Sequence, residues 1–119
     1  MTWLVVLAAL ALLAVAIASL ASVDERADAR AAIAKQVELI KKVDVDALRL
    51  AFTPRLRGQI TKDLVKAAGQ TVGKMTIDDL VGSATLEMDQ LKVRMRNGKP
   101  LTTLVYEDGA WLADTLWFK

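Results

Sequence analysis

The chain has 119 residues, of which 54% are apolar and 25% charged, with a formal net charge of +2. Histidine and cysteine are both absent, which excludes an imidazole base, a thiol nucleophile, a disulfide, a thioether lipid anchor and a Cys/His zinc site. All 30 charged side chains fall in the last 97 positions, so the chain divides into one apolar segment and one domain of ordinary composition, too short for two cores.

Trp3 to Ala21 is an apolar run of 19 residues, interrupted only by Ser19. As a helix it would be roughly 28 Å long, close to the hydrocarbon thickness of a bilayer. Residues 1–23 are therefore read as a single-pass membrane anchor, with Trp3 at one interface and Leu7, Leu10, Leu13, Ile17 and Leu20 in lipid. A cleaved signal peptide is the alternative. Ser19 and Ala21 are small residues at the two positions a signal peptidase reads, but the run exceeds the usual signal length and no Lys or Arg precedes it. Arg26, Arg30 and Lys35 just beyond the run would place the domain in the cytoplasm on the positive-inside count. Asp24, Glu25 and Asp28 dilute that excess, and signal-like segments export the domain behind them, so the balance favours an extracytoplasmic, periplasmic-side domain over residues 24–119.

Next come the helices. Ser22 or Asp24 can cap a helix in which Ile33, Val37 and Ile40 recur at i, i+4 and i+7. Asp44 reads as the N-cap of a second helix with Val45, Leu48 and Phe52 on its apolar side. Thr53-Pro54 restarts the chain as cap and first helical residue. Thr61 caps a further short helix expected to end at Gly69.

From Met75 the period changes to that of strands. Asn97-Gly98 and Asp108-Gly109 are strong signals for two-residue hairpin turns, because both central positions need positive φ. The first turn would set Met95 opposite Pro100, Val93 opposite Thr102 and Leu91 opposite Leu104. The second would set Tyr106 opposite Trp111, Leu104 opposite Ala113 and Thr102 opposite Thr115. A strand over about Ser83–Met88 completes a four-stranded meander. Helices followed by such a meander give an α+β fold of three to four helices on one antiparallel sheet. Those few helices can cover one face alone. The other is expected to expose Leu101, Val105, Leu112 and Leu116, flanked by Lys92, Arg94 and Arg96, and an apolar patch with a charged rim marks a protein interface.

The break at Asp46-Ala47-Leu48-Arg49-Leu50-Ala51-Phe52-Thr53-Pro54 and the ending Leu104-Val105-Tyr106-Glu107-Asp108-Gly109-Ala110-Trp111 together resemble the nuclear-transport-factor-2-like (cystatin-like) superfamily. The resemblance covers roughly residues 25–119. It implies helices packed into the concavity of a curved sheet. Enzymes of that superfamily pair an Asp base with a Tyr/Asp oxyanion hole, and no position here matches that pattern. What the resemblance implies is a non-catalytic binding or assembly module.

The residues agree on that point. Asp78-Asp79 reads as a turn or solvated surface, since neighbouring strand side chains point to opposite faces and could not act together. Gly69…Gly73 lacks the length and the lysine of a phosphate loop. No acidic trio has metal-ligand spacing, so no catalytic, metal or cofactor residue is assigned. Lys92, Arg94, Arg96 and Lys99 form a basic stripe without an aromatic stacking platform, which points away from nucleic acid. The expected partners are membrane lipid and a protein, either another subunit or a second copy of this chain. The function expected is an anchored, non-catalytic accessory or assembly subunit. The alternative is a secreted or periplasmic domain that holds a small apolar ligand between helices and sheet.

Overall fold

A computed structural model describes residues 25–119, and the anchor positions Trp3, Leu7, Leu10, Leu13, Ile17 and Leu20 lie outside the described residues. Among the described residues no helix is long and apolar enough to cross a membrane. Helix α1 (Glu25–Lys42) has acidic residues in its first turn and Lys41 and Lys42 in its last, matching the helix dipole at both ends. Its buried line is Ala29, Ile33, Gln36 and Ile40. Gln36 takes the place expected for Val37, which is half-buried beside it. The helix stops at Val43, whose φ of 55° lies in the left-handed region. There Val43 N–H donates to the Ile40 carbonyl and Asp44 N–H to that of Leu39, the paired closing bonds of a Schellman end.

Asp44 then starts α2 (Val45–Leu50), accepting at its carboxylate from Ala47 N–H at 3.3 Å. Pro54 opens α3 (Pro54–Arg57). Thr53 does not cap it as expected: its hydroxyl donates instead to the Asp114 carboxylate at 2.8 Å. Two arginines satisfy carbonyls these short helices leave open, Arg57 donating to Arg49 and Phe52 and Arg49 to Ile60. Thr61 caps α4 (Lys62–Val72). That helix runs through Gly69, against expectation. A glycine inside a helix costs about 1 kcal/mol, and the buried row Val65, Ala68, Val72 outweighs it. The described residues hold a fifth helix beyond the three to four expected, the single turn α5 (Ile77–Leu80) in a stretch read as strand, because a capping box between Thr76 and Asp79 closes it locally.

The sheet is an antiparallel meander, β1 (Ser83–Glu87), β2 (Gln90–Arg94), β3 (Pro100–Glu107) and β4 (Ala110–Ala113), in that spatial order. Asp108 and Gly109 both have positive φ (51° and 82°), so the β3–β4 turn and its pairs Tyr106–Trp111 and Leu104–Ala113 stand as the sequence predicts. The β2–β3 turn differs. Only Gly98 has positive φ there, and Gly98 N–H donates to the Met95 carbonyl, so Arg96 and Asn97 occupy the centre of the turn. Val93–Thr102 and Leu91–Leu104 pair as expected, but Pro100 faces Arg94 rather than Met95. Leu101 is left as the extra residue of a bulge.

The core lies between the helices and one sheet face, where Ile33, Ile40, Leu48, Phe52, Ile60 and Val65 meet Leu91, Val93, Leu104 and Ala113. The edge of β4 is closed by the α2–α3 connection: Ala113 N–H donates to the Ala51 carbonyl, and Thr53 N–H to that of Ala113. Beyond β4 the tail turns back toward the helices. Trp117 donates its indole N–H to Gln36 Oε1 at 2.7 Å, and Phe118 packs edge-on against Phe52 at 5.5 Å.

Candidate docking face of the sheet

Strand alternation sends Ala84, Leu91, Val93, Leu104 and Ala113 toward the helices, so their neighbours form the opposite face. That face is built of cross-strand rows. Ser83, Arg94 and Pro100 make one, Thr85, Lys92 and Thr103 the next, and Glu87, Gln90, Val105 and Leu112 a third. Its centre is a shallow hollow of about 360 Å³ lined by Thr85, Lys92, Arg94, Leu101 and Thr103 among others. The bulge after Val93 lies at its margin, and such irregularities sharpen local twist and deepen a concavity.

The apolar patch expected here is not exposed. Leu112 is only 7% exposed. It borders a groove shared with Leu39, Ala47, Leu50 and Trp111, where the α2–α3 connection is bonded along the β4 edge. Leu101 is turned by the bulge and packs partly against the core. Leu116 lies on the returning tail and also leans on the core. Val105 is half-buried within its row. What remains accessible is mainly polar: the hydroxyls of Ser83, Thr85 and Thr115, the cations Lys92 and Arg94, and one carboxylate, Glu87, with Pro100 among them.

Lys92 is half-buried and Arg94 exposed on this face. Arg94 donates to the Gly98 carbonyl at 3.1 Å, which fixes its stem along the turn. Arg96, expected in the same flank, leaves it. Its N–H donates to the Asp79 carbonyl and its guanidinium lies 3.8 Å from the Asp79 carboxylate. The register shift between Val93 and Arg94 accompanies this contact. Close approach is also enforced by Gly82, where a Cβ would fall 2.6 Å from Arg96 Cα.

The acidic pair splits between two structural tasks. Asp79 closes the capping box. Asp78 is paired with Arg30 and Arg26, and the Arg30 hydrogen bond and charge hold its carboxyl below the usual carboxylate range. The two carboxylates are engaged by arginines and by the cap at Thr76 rather than by each other. Among the described residues no group of three or more acidic side chains converges as a metal site. The residues that sequence reasoning missed are Gln36, Thr85 and Thr103. Gln36 breaks the apolar period of its helix, a signal that a buried donor elsewhere needs an acceptor. No protein family, curated protein or solved structure matches this chain.

Proposed function

We propose that this chain is a membrane-anchored, non-catalytic assembly subunit. Its outer sheet face docks a protein partner that carries acidic side chains. The observation behind this reading is the one-sidedness of the domain. The core residues of the helices gather on one sheet face, and the row Thr85–Lys92–Thr103 with Arg94 borders an open hollow on the other. Threonine hydroxyls and two cations outweigh the single carboxylate, Glu87, around the concavity, which suits a partner's carboxylates and backbone carbonyls, and such complementarity gives specificity and register. The nuclear-transport-factor-2-like resemblance agrees with helices resting on one face of a meander. The small-ligand alternative gains less support, because the place for a ligand between helices and sheet is held by Phe52, fully buried, and Phe118.

A photo-crosslinking residue at Thr103 in the full chain, in its native membranes, tests the face. A discrete adduct is expected from Thr103 and none from the same residue at Lys66, which is exposed on α4. Reversing both cations, Lys92→Glu with Arg94→Glu, should lower the adduct yield by roughly tenfold or more. Equal adducts at both positions, or a yield indifferent to the reversal, would contradict the proposal.

A further inference from the structure

Large apolar or aromatic side chains are not scattered evenly over the described surface. Four are exposed: Leu50, Leu86, Met88 and Tyr106. Three of them share one end of the sheet. In a meander the first and third turns lie on the same side, so the β1–β2 turn at Met88-Asp89 and the β3–β4 turn at Asp108-Gly109 are neighbours. Leu86 stands one pair before the first turn, Met88 is in it, and Tyr106 precedes the second, stacked edge-on against Trp111 at 5.1 Å. Met88 is 96% exposed and holds a φ of 55°, a conformation unfavourable for a side chain of its size. Nothing within the described domain rewards the placement of a bare methionine there.

The start of α1 meets this same end. Glu25 accepts at its carboxylate from Leu86 N–H at 2.9 Å, closing the outer edge of β1. The apolar run ends at Ala21, only four residues earlier in the chain. Four residues reach at most about 14 Å even when fully extended. An embedded run would therefore hold the β1 edge at Leu86 close to the surface it enters. Arg26, the residue after Glu25, reaches toward the other end of β1, where it lines a hollow with Asp78, Gly82 and Arg96, so it is the bare apolar side chains that single out the Leu86–Met88 end.

We infer that the Leu86–Met88 turn, with Tyr106 beside it, is a second point of contact with the lipid bilayer, fixing the tilt of the domain over its anchor. This rests on the proposed anchor and adds to it a defined membrane-facing surface. The chemistry suits an interface rather than the hydrocarbon. Met88 and Leu86 offer apolar tips, Tyr106 and Trp111 are amphipathic rings of the kind that gather at headgroup depth, and a single short turn can enter only the outer few ångströms. Glu87, Asp89, Glu107 and Asp108 flank the two turns, so the contact should favour neutral, zwitterionic headgroups and weaken over anionic ones.

The absence of cysteine from the chain allows single labels without background. Environment-sensitive fluorophores would be placed on Met88→Cys, Asn97→Cys and Leu10→Cys of the full chain in phosphatidylcholine nanodiscs. Quenching by brominated lipid should be at least about fivefold stronger at residue 88 than at residue 97, and strong at residue 10. Replacing part of the lipid with phosphatidylglycerol should reduce quenching at residue 88 and leave residue 10 unchanged. Strong quenching at residue 10 with residue 88 no different from residue 97 would overturn the contact while keeping the anchor. A residue-88 label shielded from aqueous iodide but untouched by brominated lipid would overturn it in favour of a second copy of the chain. An aqueous label at residue 10 would overturn the anchor and this contact together.

Discussion

Asp78 is an exposed carboxylate whose position between Arg30 and Arg26 ties α1 to α5. Its folded-state pKa is lowered, first by the Arg30 hydrogen bond and then by the charges of Arg30, Arg26 and Arg96. A depressed carboxylate contributes stability that is complete above its unfolded value, about 3.9, and is lost as pH falls through the lower folded value. Asp78→Asn should therefore be less stable than the parent at neutral pH and converge on it as pH falls through the lowered folded value. Urea unfolding of residues 24–119 across that range is the check. The gap at neutral pH will be small, because exposed ion pairs contribute little. A gap that widens on acidification would contradict the assignment. Gln36 is the other telling residue. It is buried, it accepts from Trp117 and it donates to the Ala51 carbonyl at 3.3 Å, so one side chain joins the first helix, the second helix and the tail.

At the scale of elements, the β3–β4 hairpin was legible because its turn chemistry is local: Asp-Gly alone selects two positive-φ residues. Asn97-Gly98 misleads by one position for a physical reason. Glycine can supply the single left-handed residue of a longer turn as readily as the second of a two-residue one, and here tertiary bonds from Arg96 to Asp79 decide between them. The Gly69 stop failed similarly, since burial of Val72 is a long-range reward that no local signal carries. Trp117 and Phe118 read from the sequence as core or interface residues of a last strand, but that strand ends at Ala113 and the tail leaves the sheet. It contributes Phe118 to the core, Trp117 to Gln36 and Asp114 to Thr53 and Arg55. Phe118→Ala should lose about 3–5 kcal/mol, in the range of other buried aromatic truncations, as read by chemical denaturation. A loss below about 1 kcal/mol would mean that the tail is not part of the core.

At the scale of the molecule, the α+β layout and the four-stranded meander followed from the order and period of the segments, while the character of the outer face did not. Counting Leu101, Leu112 and Leu116 as outward assumed an unbroken sheet with a bare edge. A bulge, an edge strand closed by a helix connection and a returning tail each remove one of them. None of these three devices has a local signature, so the mainly polar hollow emerges only in three dimensions. The charges of the sheet turns also sort by end, with Glu87, Asp89, Glu107 and Asp108 at the β1–β2 and β3–β4 turns and Arg94, Arg96 and Lys99 at the β2–β3 turn. An anchored domain with such a built-in direction can present its docking face at a set angle to the membrane, which is what an assembly subunit needs. The proposed function depends on residues 1–23 remaining attached and embedded. The most direct test is the intact mass of the native chain after cell fractionation. An anchored subunit predicts a species near 13.0 kDa in the membrane fraction, released by detergent and not by salt or alkali. A soluble product beginning near Ser22 and lacking the apolar run would contradict it.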